Sequence, residues 1–116
     1  MMIRKRRSRS KYGNHPVVVN GVRFDSEKEY ARWCELQLLE KAGVIRDLQR
    51  QVKFELQPAF THKGKRIQAI RYIADFTYTN NETGEKVIED TKGVRTREYI
   101  LKQKMMLFRG YEIKET

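Results

Sequence analysis

Ile67-Gln68-Ala69-Ile70-Arg71-Tyr72-Ile73-Ala74-Asp75-Phe76-Thr77-Tyr78-Thr79 and, a short turn later, Lys86-Val87-Ile88-Glu89-Asp90-Thr91-Lys92 decide the fold. Strand residues alternate between two faces. In the first run this puts Ile70, Tyr72, Ala74, Phe76 and Tyr78 on one face and Ile73, Asp75 and Thr77 on the other. In the second run Ile88, Asp90 and Lys92 share a face, and Val87, Glu89 and Thr91 point away. Asn80-Asn81-Glu82-Thr83-Gly84-Glu85 is a turn, so the two strands are antiparallel. That pairing brings Asp75 beside Asp90. If one ion serves both, their carboxylates stand roughly 4–5 Å apart, given metal–oxygen distances near 2 Å.

Outward from this pair the remaining elements follow. Val44 to Leu56 reads as the first strand of the meander, with Val52, Phe54 and Leu56 alternating with polar residues. His62 to Arg66 reads as a basic loop. Upstream, Ser26 to Ala42 reads as a helix. Ser26 caps it, Glu29 completes a capping box, and Gly43 ends it. Tyr30, Ala31, Cys34, Leu38 and Ala42 form its apolar stripe, widened by Trp33 and Leu36. Before it, Asn20-Gly21 lies between β-formers and predicts a hairpin over 17–24. Downstream, Thr96 caps a second helix running to about Arg109, and Tyr111 to Lys114 is a short last strand. The fold class is α/β in one domain, residues 16–116, after a disordered basic arm, residues 1–15.

The chain has 116 residues and 39% hydrophobic residues, enough for one core. Twenty-five Lys and Arg against 15 Asp and Glu give a net charge of +10. Such an excess calls for an anionic partner, with nucleic acid first in line. Six basic residues fall within the first eleven, so the head is strongly basic and the body mildly so. Dense like charge in the head favours DNA binding over a soluble tail. One cysteine, Cys34, excludes an internal disulfide and a Cys-rich zinc site. The basic start has no apolar run after it and nothing is long enough to span a membrane, so no membrane partner is expected and an intracellular location is. His15 and His62 have no metal-pair spacing, which argues against a zinc nuclease.

Two carboxylates and an ammonium at one patch suit phosphodiester hydrolysis. Carboxylate oxygens are hard ligands for Mg²⁺ or Mn²⁺. The ion polarises the phosphate and acidifies a bound water, and a lysine stabilises developing charge. A structural ion pair is the competing reading, because acid-x-Lys is cheap in a chain that is 34% charged. Glu112-Ile113-Lys114 repeats the pattern without an Asp-bearing strand just upstream. Asp75 differs in sitting inside an apolar run, where a lone carboxylate is costly unless paired or metal-bound.

Five segments in order carry a family likeness: Phe24-Asp25-Ser26-Glu27-Lys28-Glu29, Arg50-Gln51, Tyr72-Ile73-Ala74-Asp75-Phe76, Glu89-Asp90-Thr91-Lys92-Gly93 and Lys102-Gln103-Lys104. Together they resemble the PD-(D/E)xK nuclease superfamily, and within it a phage-encoded branch labelled only as a domain of unknown function. The resemblance implies a restriction-endonuclease-like core: helix, three-strand meander, helix and strand, the mixed sheet flanked by helices. It implies a metal-dependent DNA endonuclease in which Asp75 and Asp90 hold one or two Mg²⁺ or Mn²⁺ ions, with the Thr91 carbonyl as a further ligand. Lys92 would assist the attacking water. Glu29 matches the acid the family adds from its first helix, with Glu27 as the nearby alternative, and helical spacing puts Glu29 on a line with Trp33 and Leu36, a face able to press on the sheet. Ala74 departs from the eponymous Pro, and Asp90 stands where Glu is commoner. Small basic members include Holliday-junction resolvases that act as dimers, which points to branched DNA, a homodimer, and work in the cytoplasm of a phage-infected bacterial host.

Around that set, Gln51 either orients a metal water, contacts substrate or is an ordinary strand residue. Arg95, Arg97, Lys102 and Lys104 follow the motif and are expected on the approach of phosphates. Arg4, Lys5, Arg6 and Arg7 of the head are expected to bind DNA non-specifically. The rival class is a non-catalytic DNA-binding protein on the same fold.

Overall fold

The computed structural model describes residues 15–91 and 95–116. Residues 1–14 of the basic arm and Lys92, with Gly93 and Val94, lie outside them. The elements in chain order are β1 (Val17–Val19), β2 (Val22–Phe24), α1 (Glu27–Lys41), β3 (Ile45–Gln57), β4 (Phe60–His62), β5 (Lys65–Ile67), β6 (Ile70–Asn80), β7 (Lys86–Asp90), α2 (Arg97–Phe108) and β8 (Ile113–Glu115). The fold is mixed α/β. Its main sheet has the order β3-β6-β7-β8. β3, β6 and β7 run as an antiparallel meander, and β8 joins β7 in parallel after the crossover through α2. The N-terminal hairpin is present: Asn20 and Gly21 hold φ of 52° and 80°, the pair of positive values a type I′ turn needs.

Two apolar clusters flank the sheet. On the α1 side Leu36, Ile45, Phe76 and Tyr78 pack with Trp33, Leu39, Leu48 and Val87. The Trp33 ring stacks on Phe76 with centroids 5.9 Å apart. On the α2 side Leu56, Tyr72, Ala74, Ile88, Tyr99, Met106 and Ile113 form the other cluster. Each fully buried side chain of Leu or Phe size contributes roughly 1.5–3 kcal/mol.

The structure corrects three sequence expectations. First, the expected apolar stripe of α1 does not face the sheet as a whole, since Leu38 is 68% exposed and Ala31 and Ala42 are also exposed; the face that meets the sheet is the line through Glu29, Trp33 and Leu36. The α1 sequence is apolar on more than one side, and the aromatic ring of Phe76 selects the side bearing Trp33. Second, the basic loop after Pro58 is a hairpin, β4–β5. Lys63 and Gly64 hold φ of 50° and 77°, the same turn geometry as Asn20-Gly21 in a less telling sequence. Third, the even-numbered residues of β6 do not share one face. Tyr72 and Ala74 lie in the α2 cluster, whereas Phe76 and Tyr78 lie in the α1 cluster. The alternation breaks at Asp75. Opposite it stands Gln51, whose φ of 51° is left-handed. Pairing holds on either side, Arg50 with Phe76 and Val52 with Ala74.

Candidate active site

β7 fixes the first acid. Its register with β6 pairs Phe76 with Glu89 and Thr77 with Ile88, so the next step sets Asp90 across from Asp75. Their carboxyls are within hydrogen-bonding reach of each other. Thr91 N–H donates to Asp75 Oδ2 at 2.8 Å, and the Tyr72 hydroxyl donates to Asp90 Oδ2 at 2.5 Å. Asp90 is 2% exposed. Burial pushes the Asp75 carboxyl up, the hydrogen bond to Asp90 and that residue's charge push it further, and Glu29 adds to them, so it reaches about 8 against the Thr91 N–H that lowers it. Two acids set together, Asp90 buried and Asp75 half-buried, need a proton or a cation between them.

Glu29 arrives from the first turn of α1. Ser26 Oγ accepts its N–H at 3.1 Å, the capping half of the expected motif. The returning half differs: Glu29 Oε1 accepts from the Asp25 N–H at 3.3 Å, one residue before the cap. The other oxygen accepts from Gln51 Nε2 at 3.3 Å and faces an Arg50 guanidinium nitrogen at 3.8 Å. Burial raises its pKa, Asp25 and Asp90 raise it too, and the Asp25 N–H and Arg50 oppose them. Gln51 therefore links the two halves of the site: its backbone lies opposite Asp75 and its side chain holds Glu29.

Glu89 points the other way, as its strand position requires. It is fully buried, with Arg32 Nε and Nη2 on its two oxygens at 2.9 and 2.6 Å and the Tyr78 hydroxyl also donating to it. Burial alone would raise its pKa, but Arg32 and Tyr78 win and the net direction is down. The second acid-x-Lys match lands alongside: Lys114 pairs across from Glu89 on β8.

The flanking cations divide. Lys102 is half-buried, bonded to Glu98 at 2.8 Å, and lines a cleft of about 260 Å³ together with Arg71, Tyr72, Ile73 and Tyr99. Arg95 is engaged by Gln103 at 2.9 Å and Glu115 at 3.4 Å, which turns it from a phosphate approach toward β8. Arg97 and Lys104 are exposed on α2. Lys92, Arg4, Lys5, Arg6 and Arg7 lie outside the described residues.

Sequence reasoning passed over Tyr72, Arg32 and the role of Arg50. The Arg50 guanidinium lies 4.2 Å from the Phe24 ring centre and donates to the Arg23 carbonyl at 3.2 Å, while its Nε is buried without a partner among the described residues. The Arg50-Gln51 segment had marked the place. Tyr72 had no signal, since strict alternation puts it on the wrong side of the sheet.

Among the described residues no group of three or more His, Cys, Asp or Glu side chains is set to hold a metal. The donor set is the pair Asp75 and Asp90. Mg²⁺ is commonly bound through one or two carboxylates, with waters and substrate phosphate completing its shell, so a carboxylate pair that is buried at Asp90 and half-buried at Asp75 fits it. The residues that would hold it are Asp75 and Asp90, with the Thr91 carbonyl next to them in the chain.

A family model described as "Protein of unknown function (DUF1064)" matches residues 9–116. No curated protein and no solved structure matches the chain.

Proposed function

We propose that this chain, which belongs to the DUF1064 family, is a divalent-metal-dependent DNA endonuclease of the PD-(D/E)xK superfamily. One observation carries the reading: Asp75 and Asp90, two carboxyls inside the fold, are held against each other by the pairing of β6 with β7. A purely structural site would match an acid with a base, as Glu89 is matched with Arg32. An Asp pair is costly to bury unless a proton or a cation joins it.

Mg²⁺ or Mn²⁺ bound there would polarise the scissile phosphate and supply a nucleophilic water at neutral pH. The remaining work falls to the chain. Tyr72 fixes the Asp90 carboxylate through its hydroxyl, and Thr91 N–H fixes that of Asp75. Gln51 and Arg50 hold Glu29 beside them. Lys102 and Arg71 line the adjoining cleft and give a phosphate somewhere to dock. Lys92, two residues past Asp90, is the proposed partner of the attacking water. The substrate class we favour is branched DNA, cut by a homodimer during phage replication, recombination or packaging in the bacterial host, by analogy with small basic nucleases. Among the described residues no helix is long and apolar enough to cross a membrane.

The test is direct. Linear, nicked, flapped and four-way DNA are incubated with wild type, Asp75→Asn, Asp90→Asn and Lys92→Ala, each with Mg²⁺ and with Mn²⁺. Cleavage by wild type and a loss on the order of 10³-fold in each variant is expected. A wild type that binds DNA but cuts none of these substrates would leave the non-catalytic DNA-binding protein in possession. Variants that cut as well as wild type would remove these residues from the chemistry.

A further inference from the structure

The positive charge of this chain has an address. The two longest stretches without Asp or Glu are residues 1–24, with seven Lys and Arg, and residues 56–74, with Lys63, Lys65, Arg66 and Arg71. Everything outside them carries 14 basic and 15 acidic residues. These two stretches together carry +11 and the remainder of the chain −1, and the second stretch lies wholly in the described fold. It holds the β4–β5 hairpin.

That hairpin is built to be seen from outside. Every residue from Phe60 to Gln68 is exposed. β4 and β5 pair with each other in a separate two-stranded sheet and do not join the main one. Among the described residues no ion pair reaches Lys63, Lys65, Arg66 or Arg71. Charges kept apart from acids and projected on a ribbon have no role in holding this fold together. Pro58 and the last main-sheet pair, Gln57 with Ile70, mount the ribbon on β3 and β6. Those are the strands that carry Gln51 and Asp75. Eight residues separate Asp75 from Ile67, at most about 27 Å of strand, and the turn adds about 10 Å. The ribbon tip is thus within about one helical turn of duplex from the acid pair. Arg71 continues the basic line toward the site, since it lines the cleft shared with Tyr72 and Lys102.

We propose that the β4–β5 hairpin is a DNA-docking arm, its Lys63, Lys65 and Arg66 neutralising duplex phosphates within one turn of the bond at Asp75 and Asp90. A two-stranded ribbon is of a width that a major groove admits. This assignment rests on DNA as the partner and does not need the acid pair to be catalytic.

The experiment measures binding of the full chain to a labelled duplex of about three helical turns, by fluorescence anisotropy over roughly 50–200 mM salt. The hairpin variant is Lys63→Ala/Lys65→Ala/Arg66→Ala. The control is Lys28→Ala/Lys41→Ala/Lys86→Ala, equal in charge, exposed and away from the hairpin. Loss of three phosphate contacts lowers the slope of log K against log salt by about 2.7 and weakens binding on the order of 10²-fold near 0.1 M salt. The control stays near wild type, and circular dichroism shows both variants folded. Equal losses in both variants, or none in the hairpin variant, overturn the assignment. If wild type never cuts DNA yet the hairpin variant alone loses affinity, the nuclease reading falls and the docking arm stands.

Discussion

Glu89 and Asp90 are adjacent on β7, both nearly inaccessible, and they meet opposite conditions. Glu89 faces α1 and receives the fork of Arg32 together with the Tyr78 hydroxyl. Asp90 faces a second carboxyl and a phenol. The strand supplies both environments through its period of two. The difference is chemical: the fold itself neutralises the first acid, whereas the second shares its pocket with another acid and needs a proton or an outside cation. Buried charge matched by opposite charge belongs to the architecture, and charge set against like charge marks a candidate site.

The largest effect that sharpens this contrast is on stability. Arg32→Ala strands Glu89 in the interior and costs roughly 3–5 kcal/mol in urea unfolding. Adding Glu89→Gln recovers much of it. Asp75→Asn, by contrast, leaves stability equal or higher at neutral pH, because it removes one of two opposed acids. A larger loss from Asp75→Asn than from Arg32→Ala would invert the comparison.

A divalent ion comes next in size. Mg²⁺ at about 100 times its dissociation constant stabilises the wild type by about 2.7 kcal/mol and lifts its melting temperature by several degrees. Asp75→Asn abolishes the shift and Glu89→Gln keeps it. Equal shifts in wild type and Asp75→Asn would place the ion elsewhere.

The third effect is a slope, read across pH. The folded Asp75 carboxyl is raised from 3.8 to about 8, so the native state keeps a proton that the unfolded chain releases. Its stabilisation is complete below about pH 4 and is lost as pH rises through about 8. Glu89 has the opposite sign: its depressed pKa stabilises above 4.5 and fails in acid. In metal-free buffer Asp75→Asn therefore flattens the decline of stability between about pH 4 and 8. It leaves the acid limb, where Glu89→Gln acts, in place. An unchanged decline in Asp75→Asn would show that Asp75 does not hold the proton.

How far these features were legible depends on their range along the chain. Period two and the short turn at Asn80–Glu85 were enough to set Asp75 beside Asp90 and to turn Glu89 away. Helical spacing placed Glu29 in line with Trp33 and Leu36. The hairpin at Asn20-Gly21 announced itself, while the one at Lys63-Gly64 did not, because lysine in the first turn position gives no warning of a positive φ. Arg32 lies 57 residues from Glu89, and nothing local selects it over other arginines. The break at Asp75 was hidden for a similar reason: a left-handed glutamine is an outlier that composition does not advertise.

That break has a consequence for motion. Because β6 changes sides at Asp75, its lower half is part of one apolar cluster and its upper half part of the other. Neither layer can open without lifting the same strand. Amide hydrogens from Tyr72 to Tyr78 should therefore exchange with solvent as one unit, at the rate of global unfolding. Asp75 sits at the pivot of that unit, in the segment that opens last, with Asp90 across from it on β7.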